Sequence, residues 1–193
     1  MNASLARCSD AELAALALAG QQSAYGELMR RHREAVFRVA RGHVGDATEA
    51  LDITQETFIS AFTALARYDG TRPFRLWIAR IAVNKCRDWA RRRAVRRFFT
   101  FARPIEEATA VADGLPTPEE AVGSQAELAH IHAAIASLPG NLKDVLVLRT
   151  LEGVSQAEAA QILGISEKAV ETRLYRARNK LAEGLRDGAA DRV

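Results

Sequence analysis

Apolar residues recur at three- and four-residue intervals along most of this chain, the spacing that lines one side of an α-helix. Leu13, Leu16, Ala17, Ala24 and Leu28 form the first series and Val36, Val39 and Ala40 the next, with Gly42 and Gly45 punctuating its end. Two helices are expected there. Asp46 to Leu65 predicts a third, with Leu51, Phe58, Phe62 and Leu65 on one stripe and Asp52, Gln55 and Glu56 off it. Gly70 and Pro73 mark a loop, and a fourth helix runs from about Arg75 into the cluster Arg91, Arg92 and Arg93. Between Phe98 and Gln125 the periodicity fails and Pro104, Pro116 and Pro118 appear. It returns with Leu128, Ile131, Ile135 and Leu138, stops at Pro139 and Gly140, and resumes with Leu142, Val145 and Leu146 until Gly153.

The stretch that follows carries the clearest local grammar. Ser155 and Glu158 have capping-box spacing, in which the serine oxygen accepts from the backbone N–H three residues on and the glutamate reaches back. A helix should begin there and end near Leu163, with Gly164 taking the left-handed cap and Ser166 capping a second helix. In that second helix Val170, Leu174, Ala177 and Leu181 bury one side, leaving a polar, cationic side outside. This is helix-turn-helix spacing, and such a helix can enter a major groove with its first residues at base edges and its later arginines on phosphates. A plain helical hairpin with solvated arginines is the bland alternative; the cap, Gly164, the short turn and the cationic face together weigh against it.

Composition sets the frame. The chain has 193 residues, with 48% apolar, 26% charged and only 6% aromatic positions, rich in Ala and Leu. An all-α fold follows, because those residues lose little rotamer freedom in a helix. The architecture expected is two small helical domains, residues 1–97 and 126–193, joined by a flexible linker over 98–125. The net charge of +3 hides an uneven distribution. Residues 1–103 hold 18 Lys and Arg against 10 Asp and Glu, residues 104–126 hold none against 5, and residues 127–193 hold 9 against 9. The linker is acidic and the first half basic. Arginine-dominated positive charge suits a polyanion, since guanidinium pairs bidentately with phosphate and reads guanine edges, although a solvated basic surface gives the same composition.

Cys8 and Cys86 are far apart and form no CxxC, and His130 and His132 point about 200° apart on a helix, so no disulfide framework, metal or other cofactor is expected. No apolar stretch near the start resembles a signal peptide, and a reducing cytoplasm is the expected location. A phosphate loop, a nucleophile elbow and a metal-spaced cluster are all missing, which argues against an enzyme and leaves no candidate catalytic residue.

A second cationic feature lies in the fourth helix. Arg80, Asn84, Arg87 and Arg91 make a single stripe of donors, opposite an apolar face of Ile78, Ala82, Cys86 and Trp89. Tyr68, Phe74 and Trp77 stand at the preceding loop, where aromatics beside arginine can hold unstacked bases. Trp77 and Trp89 read better as core residues. Cys86, on the apolar side, reads better as a small buried residue than as a redox sensor.

These residues resemble a known family. The run Asp52 to Phe58, followed by Trp77 to Asn84 and Asp88 to Arg93, resembles region 2 of bacterial extracytoplasmic-function sigma factors of the sigma-70 family. Leu138-Pro139, Leu148 to Gly153, Ser155 to Ala160, Leu163 to Ser166 and Arg173 to Arg178 resemble their region 4. The resemblance implies that region 2 docks on the β′ clamp of core RNA polymerase, carried here onto Asp52, Gln55 and Glu56. It implies −10 recognition and melting by Tyr68, Phe74, Arg80, Asn84, Arg87 and Arg91. Region 4 would read the −35 element through Lys168, Glu171, Thr172, Arg173, Tyr175, Arg176 and Arg178, and would meet the β flap. The acidic linker, with Glu106, Glu107, Glu119 and Glu120, would thread toward the polymerase channel. An anti-sigma factor, often membrane-anchored, is the implied inhibitor. The tether implies that the two domains of the free protein move independently.

The chain departs from the family pattern at Leu51, where an acid is common, at Lys143, where arginine is usual, and at Ala169, where threonine is usual. Glu171 matters most, since an acid there repels phosphate but can accept from cytosine N4. An autonomous helix-turn-helix regulator is the rival class, and it leaves the Arg80–Arg91 stripe unexplained. The expected −35 element carries a cytosine, in either strand, opposite Glu171. Base-by-base promoter selection with Glu171→Ala should relax that position alone, and a variant keeping every preference contradicts the assignment.

Overall fold

A computed structural model describes residues 5–101 and 124–190, and among them there are helices and turns but no strand. The first half comprises α1 (Asp10–Leu18), α2 (Gln22–Val44), α3 (Ala47–Thr63) and α4 (Phe74–Phe101). The second comprises α5 (Ser124–Ser137), α6 (Gly140–Leu146), α7 (Gln156–Leu163) and α8 (Glu167–Ala190). Between α6 and α7 the chain makes one π-helical turn, Val147–Leu151.

Local chemistry starts and stops these helices. Ser9 and Glu12 form a full capping box on α1, and the Asp46 carboxylate accepts from the Glu49 amide to open α3. Neither is singled out by the sequence pattern above. The Ser155 and Glu158 box, the left-handed Gly164 (φ 66°) and the Ser166 cap, whose Oγ accepts from the Ala169 amide at 3.2 Å, stand where the sequence puts them. The fourth helix is longer than its pattern predicts. It continues through Phe98 to Phe101 along the arginine-rich stretch, so the expected linker loses its first residues to helix, while Glu106, Glu107, Glu119 and Glu120 lie outside the described residues.

Leu13, Leu28, Val36, Phe58, Leu65, Phe74, Ile78 and Val83 fill the core of the first half, and Val145, Leu148, Ala159, Ile162, Val170 and Ala177 that of the second. The α3 stripe is rotated from the expected one: Phe58 and Leu65 are buried, but Leu51 is 53% exposed and its place in the core falls to Ala50, Ile53 and Ala61. In this structure the two halves are in contact. The two cores merge into one cluster, with α5, α6 and the π turn seated on α2 and α7 on α4. Glycines permit the approach. A Cβ on Gly42 would lie 2.9 Å from both Val147 and Leu151, and one on Gly45, which ends α2 at φ +78°, would lie 2.9 Å from the Ala136 Cβ.

Gly45→Ala therefore meets both a left-handed backbone and a neighbouring methyl. Urea denaturation should show a loss of at least roughly 1–2 kcal/mol, the backbone contribution alone.

Candidate nucleic-acid interface

α4 presents its donors as the sequence implies. Arg80, Asn84 and Arg91 are exposed, while Ile78, Ala82 and Cys86 are buried beneath them. At the helix start the Tyr68 hydroxyl donates to the Arg72 carbonyl at 2.5 Å, and the Asp69 carboxylate accepts from the Thr71 amide and hydroxyl, bracing the loop. Two aromatic assignments change. Phe74 is 1% exposed, packed against Tyr68, Trp77 and the His32 ring, so it supports the loop from behind and offers no face to a base. Trp77, expected in the core, is half-buried and helps line an open cleft of about 280 Å³ with Tyr68, Arg72 and Arg80. Gln161 and Ile162 of α7 form the cleft's other wall. Trp89 is tied to α3, its indole N–H donating to Glu49 at 2.6 Å, with Arg93 stacked over its ring.

The Arg87 side chain does not point freely outward with the other donors. Its Nε and terminal nitrogen donate to one carboxylate oxygen of Asp144, at 2.9 and 2.6 Å. The other oxygen of Asp144 faces His43 Nε2 at 2.9 Å, and His43 Nδ1 faces the Val39 carbonyl at 2.8 Å. Both partners of the imidazole are acceptors, so both ring nitrogens must carry hydrogen. His43 is therefore an imidazolium. Burial disfavours that charge, but Cys86 and Asp144 outweigh it and push the group up to about 10. Burial likewise opposes the Asp144 carboxylate, yet His43 and Arg87 hold it below the ordinary range. Lys143 completes the corner, donating to the His43 carbonyl at 3.0 Å and to the Ala136 carbonyl. The missing arginine at this position thus has a replacement role joining the two halves. Sequence spacing gave no sign of the cluster, because His43 and Asp144 lie 101 residues apart.

On α8, Lys168, Glu171, Thr172, Tyr175, Arg176 and Arg178 are exposed and Arg173 is partly buried, while Val170 and Ala177 face inward. Lys168 Nζ stands 2.8 Å from Glu171, so this acid is already partnered, and the Thr172 hydroxyl donates back to the Lys168 carbonyl. On α3, Asp52 and Gln55 are exposed, flanked by exposed Leu51 and Ile59, whereas Glu56 is drawn toward α4 by Arg92 at 3.3 Å and Lys85 at 3.9 Å.

Comparisons with known proteins bear on the chain as a whole. The Sigma-70 region 2 family model matches residues 28–96 and the Sigma-70 region 4 model residues 128–181. The chain is 42% identical over 177 residues to RNA polymerase sigma factor CnrH of Cupriavidus metallidurans, covering 90% of this chain and 93% of that one. It is 31% identical over 173 residues to ECF RNA polymerase sigma factor SigW of Bacillus subtilis, covering 87% and 92%. Among solved structures it resembles CnrH in complex with the cytosolic domain of CnrY, with a TM-score of 0.67, 37% identity and coverage of 92% of this chain and 97% of that one.

Removing the Asp144 carboxylate leaves His43 and Arg87 as uncompensated cations, so Asp144→Asn should cost about 3 kcal/mol in urea unfolding. The raised His43 adds stability that is complete below its ordinary 6.5 and lost as pH rises toward about 10. The lowered Asp144 adds stability complete above its ordinary 3.8 and lost as pH falls through its folded value. Wild-type stability should accordingly decline between pH 6.5 and 10, and the decline should be much flatter in Asp144→Asn.

Proposed function

The chain belongs to the sigma-70 family of RNA polymerase sigma factors, in its extracytoplasmic-function group, and we propose how its surfaces divide the work of promoter recognition. It is a sigma factor with a region 2 and a region 4. In our reading residues 1–97 form the first unit, 98–125 the linker and 126–193 the second unit. The chain acts by binding and positioning, with no bond-making of its own, in the cytoplasm. Among the described residues no helix is long and apolar enough to cross a membrane.

The β′ clamp of core polymerase is met by Asp52 and Gln55 together with exposed Leu51 and Ile59, an acidic and apolar face suited to a basic helical partner. Glu56, already shared with Lys85 and Arg92, contributes less. The −10 element is held by Arg80, Asn84 and Arg91 on α4, with Arg87 joining once released from Asp144. Tyr68 and Trp77, rather than Phe74, flank the cleft that takes an unstacked base, since stacking is what an aromatic rim offers to any base. The −35 element lies against Lys168, Glu171, Thr172, Arg173, Tyr175, Arg176 and Arg178, and the β flap meets region 4. An anti-sigma factor holds the chain inactive; the similar CnrH structure contains the cytosolic domain of CnrY. The observation that carries this reading is the presence of two separate cationic helical faces, on α4 and α8, on one chain. A self-sufficient helix-turn-helix regulator needs only the second.

The test is run-off transcription with purified core polymerase. The chain should form a stoichiometric complex with core and confer promoter-dependent transcripts, with Trp77→Ala and Arg80→Ala each lowering product about tenfold. Asp52→Lys combined with Gln55→Ala should weaken core binding about tenfold while leaving helicity unchanged. Tight binding of duplex DNA by a symmetric dimer, without polymerase, overturns the reading.

A further inference from the structure

The last turns of α4 change character. Up to Trp89 the helix has an apolar side packed on α2 and α3, with Ile78, Ala82 and Cys86 buried. Beyond it the core stops, and Val95, Phe98 and Phe99 are each more than half exposed. These three stand at i, i+3 and i+4, so they share one side of the helix, and the two phenyl rings meet edge to face with centroids 5.8 Å apart. Together they make one apolar knob. Arg93, Arg96 and Arg97 repeat the same spacing two residues earlier, which turns them about 200° away. Arg91 and Arg92 stand at the near end, beside Asp88 and Glu56. Residues 89–99 hold five arginines and no acid. An apolar side of aromatic and branched residues with arginine opposite is the pattern of a helix that lies along an oil–water boundary.

We propose that the end of α4 is a docking site for an anionic lipid bilayer, with Val95, Phe98 and Phe99 entering the headgroup layer and the arginines pairing with lipid phosphates. This is attachment along a surface, not a span. Charge selects the occupant. Four to eight cations on an amphipathic helix suit an anionic leaflet, and arginine stems can lie against the apolar layer while their guanidinium groups reach the phosphates. The wider surface helps, since residues 1–103 carry 18 basic against 10 acidic side chains. A second copy of the chain fits poorly, because it would set five arginines against five. Single-stranded nucleic acid asks for another layout, with arginine and open ring faces on one side; here the phenyl rings close on one another and Val95 has no ring to offer. Phe98 also lies roughly 27 Å along the helix axis from Arg80, at the far end of α4 from the cleft that Tyr68 and Trp77 line.

The experiment is co-sedimentation of the full chain with vesicles of equal parts phosphatidylglycerol and phosphatidylcholine, beside vesicles of phosphatidylcholine alone. The chain should pellet with the anionic vesicles and bind the neutral ones at least about tenfold more weakly. Phe98→Ser with Phe99→Ser, and separately Arg96→Gln with Arg97→Gln, should each lower binding to the anionic vesicles about tenfold. Helicity and run-off transcription should stay unchanged in both, because these side chains are exposed and stand outside the −10 candidates. Raising salt to about 1 M, where the screening length shrinks to roughly 3 Å, should release most of the bound chain. Phe98→Trp keeps the apolar knob and should bind as the wild type does, its added emission shifting to the blue on anionic vesicles alone. Equal binding to neutral vesicles, or binding to neither, overturns the proposal. So does full vesicle binding by the two double variants. If Phe98→Ser with Phe99→Ser instead loses affinity for a labelled oligodeoxythymidylate while vesicle binding stays intact, the knob serves nucleic acid and the proposal fails; a concentration-dependent dimer lost in that variant gives the knob to a second copy and also overturns it.

Discussion

A carboxylate buried between an imidazolium and a guanidinium fixes how this molecule is put together. Asp144 is 2% exposed and cannot stand alone there, since an isolated charge in such surroundings is costly and each of its oxygens needs a donor. His43 supplies one donor from α2 and Arg87 another from α4. Satisfying one acid on α6 therefore requires two helices of the other half, α2 and α4, and the glycines at 42 and 45 let the backbones come close enough. The merged hydrophobic core supplies area, but area is non-directional. The ion cluster sets which residue meets which.

The same cluster shows how an arginine-bearing helix face accepts part of its own chain. Guanidinium groups distinguish poorly between a carboxylate and a phosphate, both of which offer paired anionic oxygens. An arginine-rich face is therefore open to any acidic patch held at high local concentration by a tether. Region 4 carries as many acids as bases over residues 127–193, yet the structure turns Asp144, Glu152 and Glu158 inward toward region 2 and the cationic side of α8 outward. An even balance in sequence becomes two faces of opposite sign in space.

How much was legible beforehand follows from the range of each interaction. Ser155, Glu158, Gly164 and Ser166 act on neighbours within four residues, so the turn and both its helices could be placed from spacing alone. The donor stripe on α4 and the polar side of α8 were legible for the same reason, helical periodicity. Leu51, Phe74 and Trp77 were not. Their exposure is decided by helices distant in sequence: Phe74 is covered by the His32 ring of α2, and Trp77 faces the gap left between α4 and α7. The His43, Asp144 and Arg87 cluster was invisible because three polar residues on three separate helices carry no mark of their meeting.

Glu158 holds two partnerships at once. It accepts from the Ser155 backbone amide at 2.9 Å, sealing the first turn of α7, and it faces Arg75 across the gap between the halves. Losing the arginine leaves the seal in place, because the amide bond is made within its own turn. The first turn of α7 is thus closed by bonds within its own turn, whatever the second half is docked against. Docking and folding are decoupled at a single side chain.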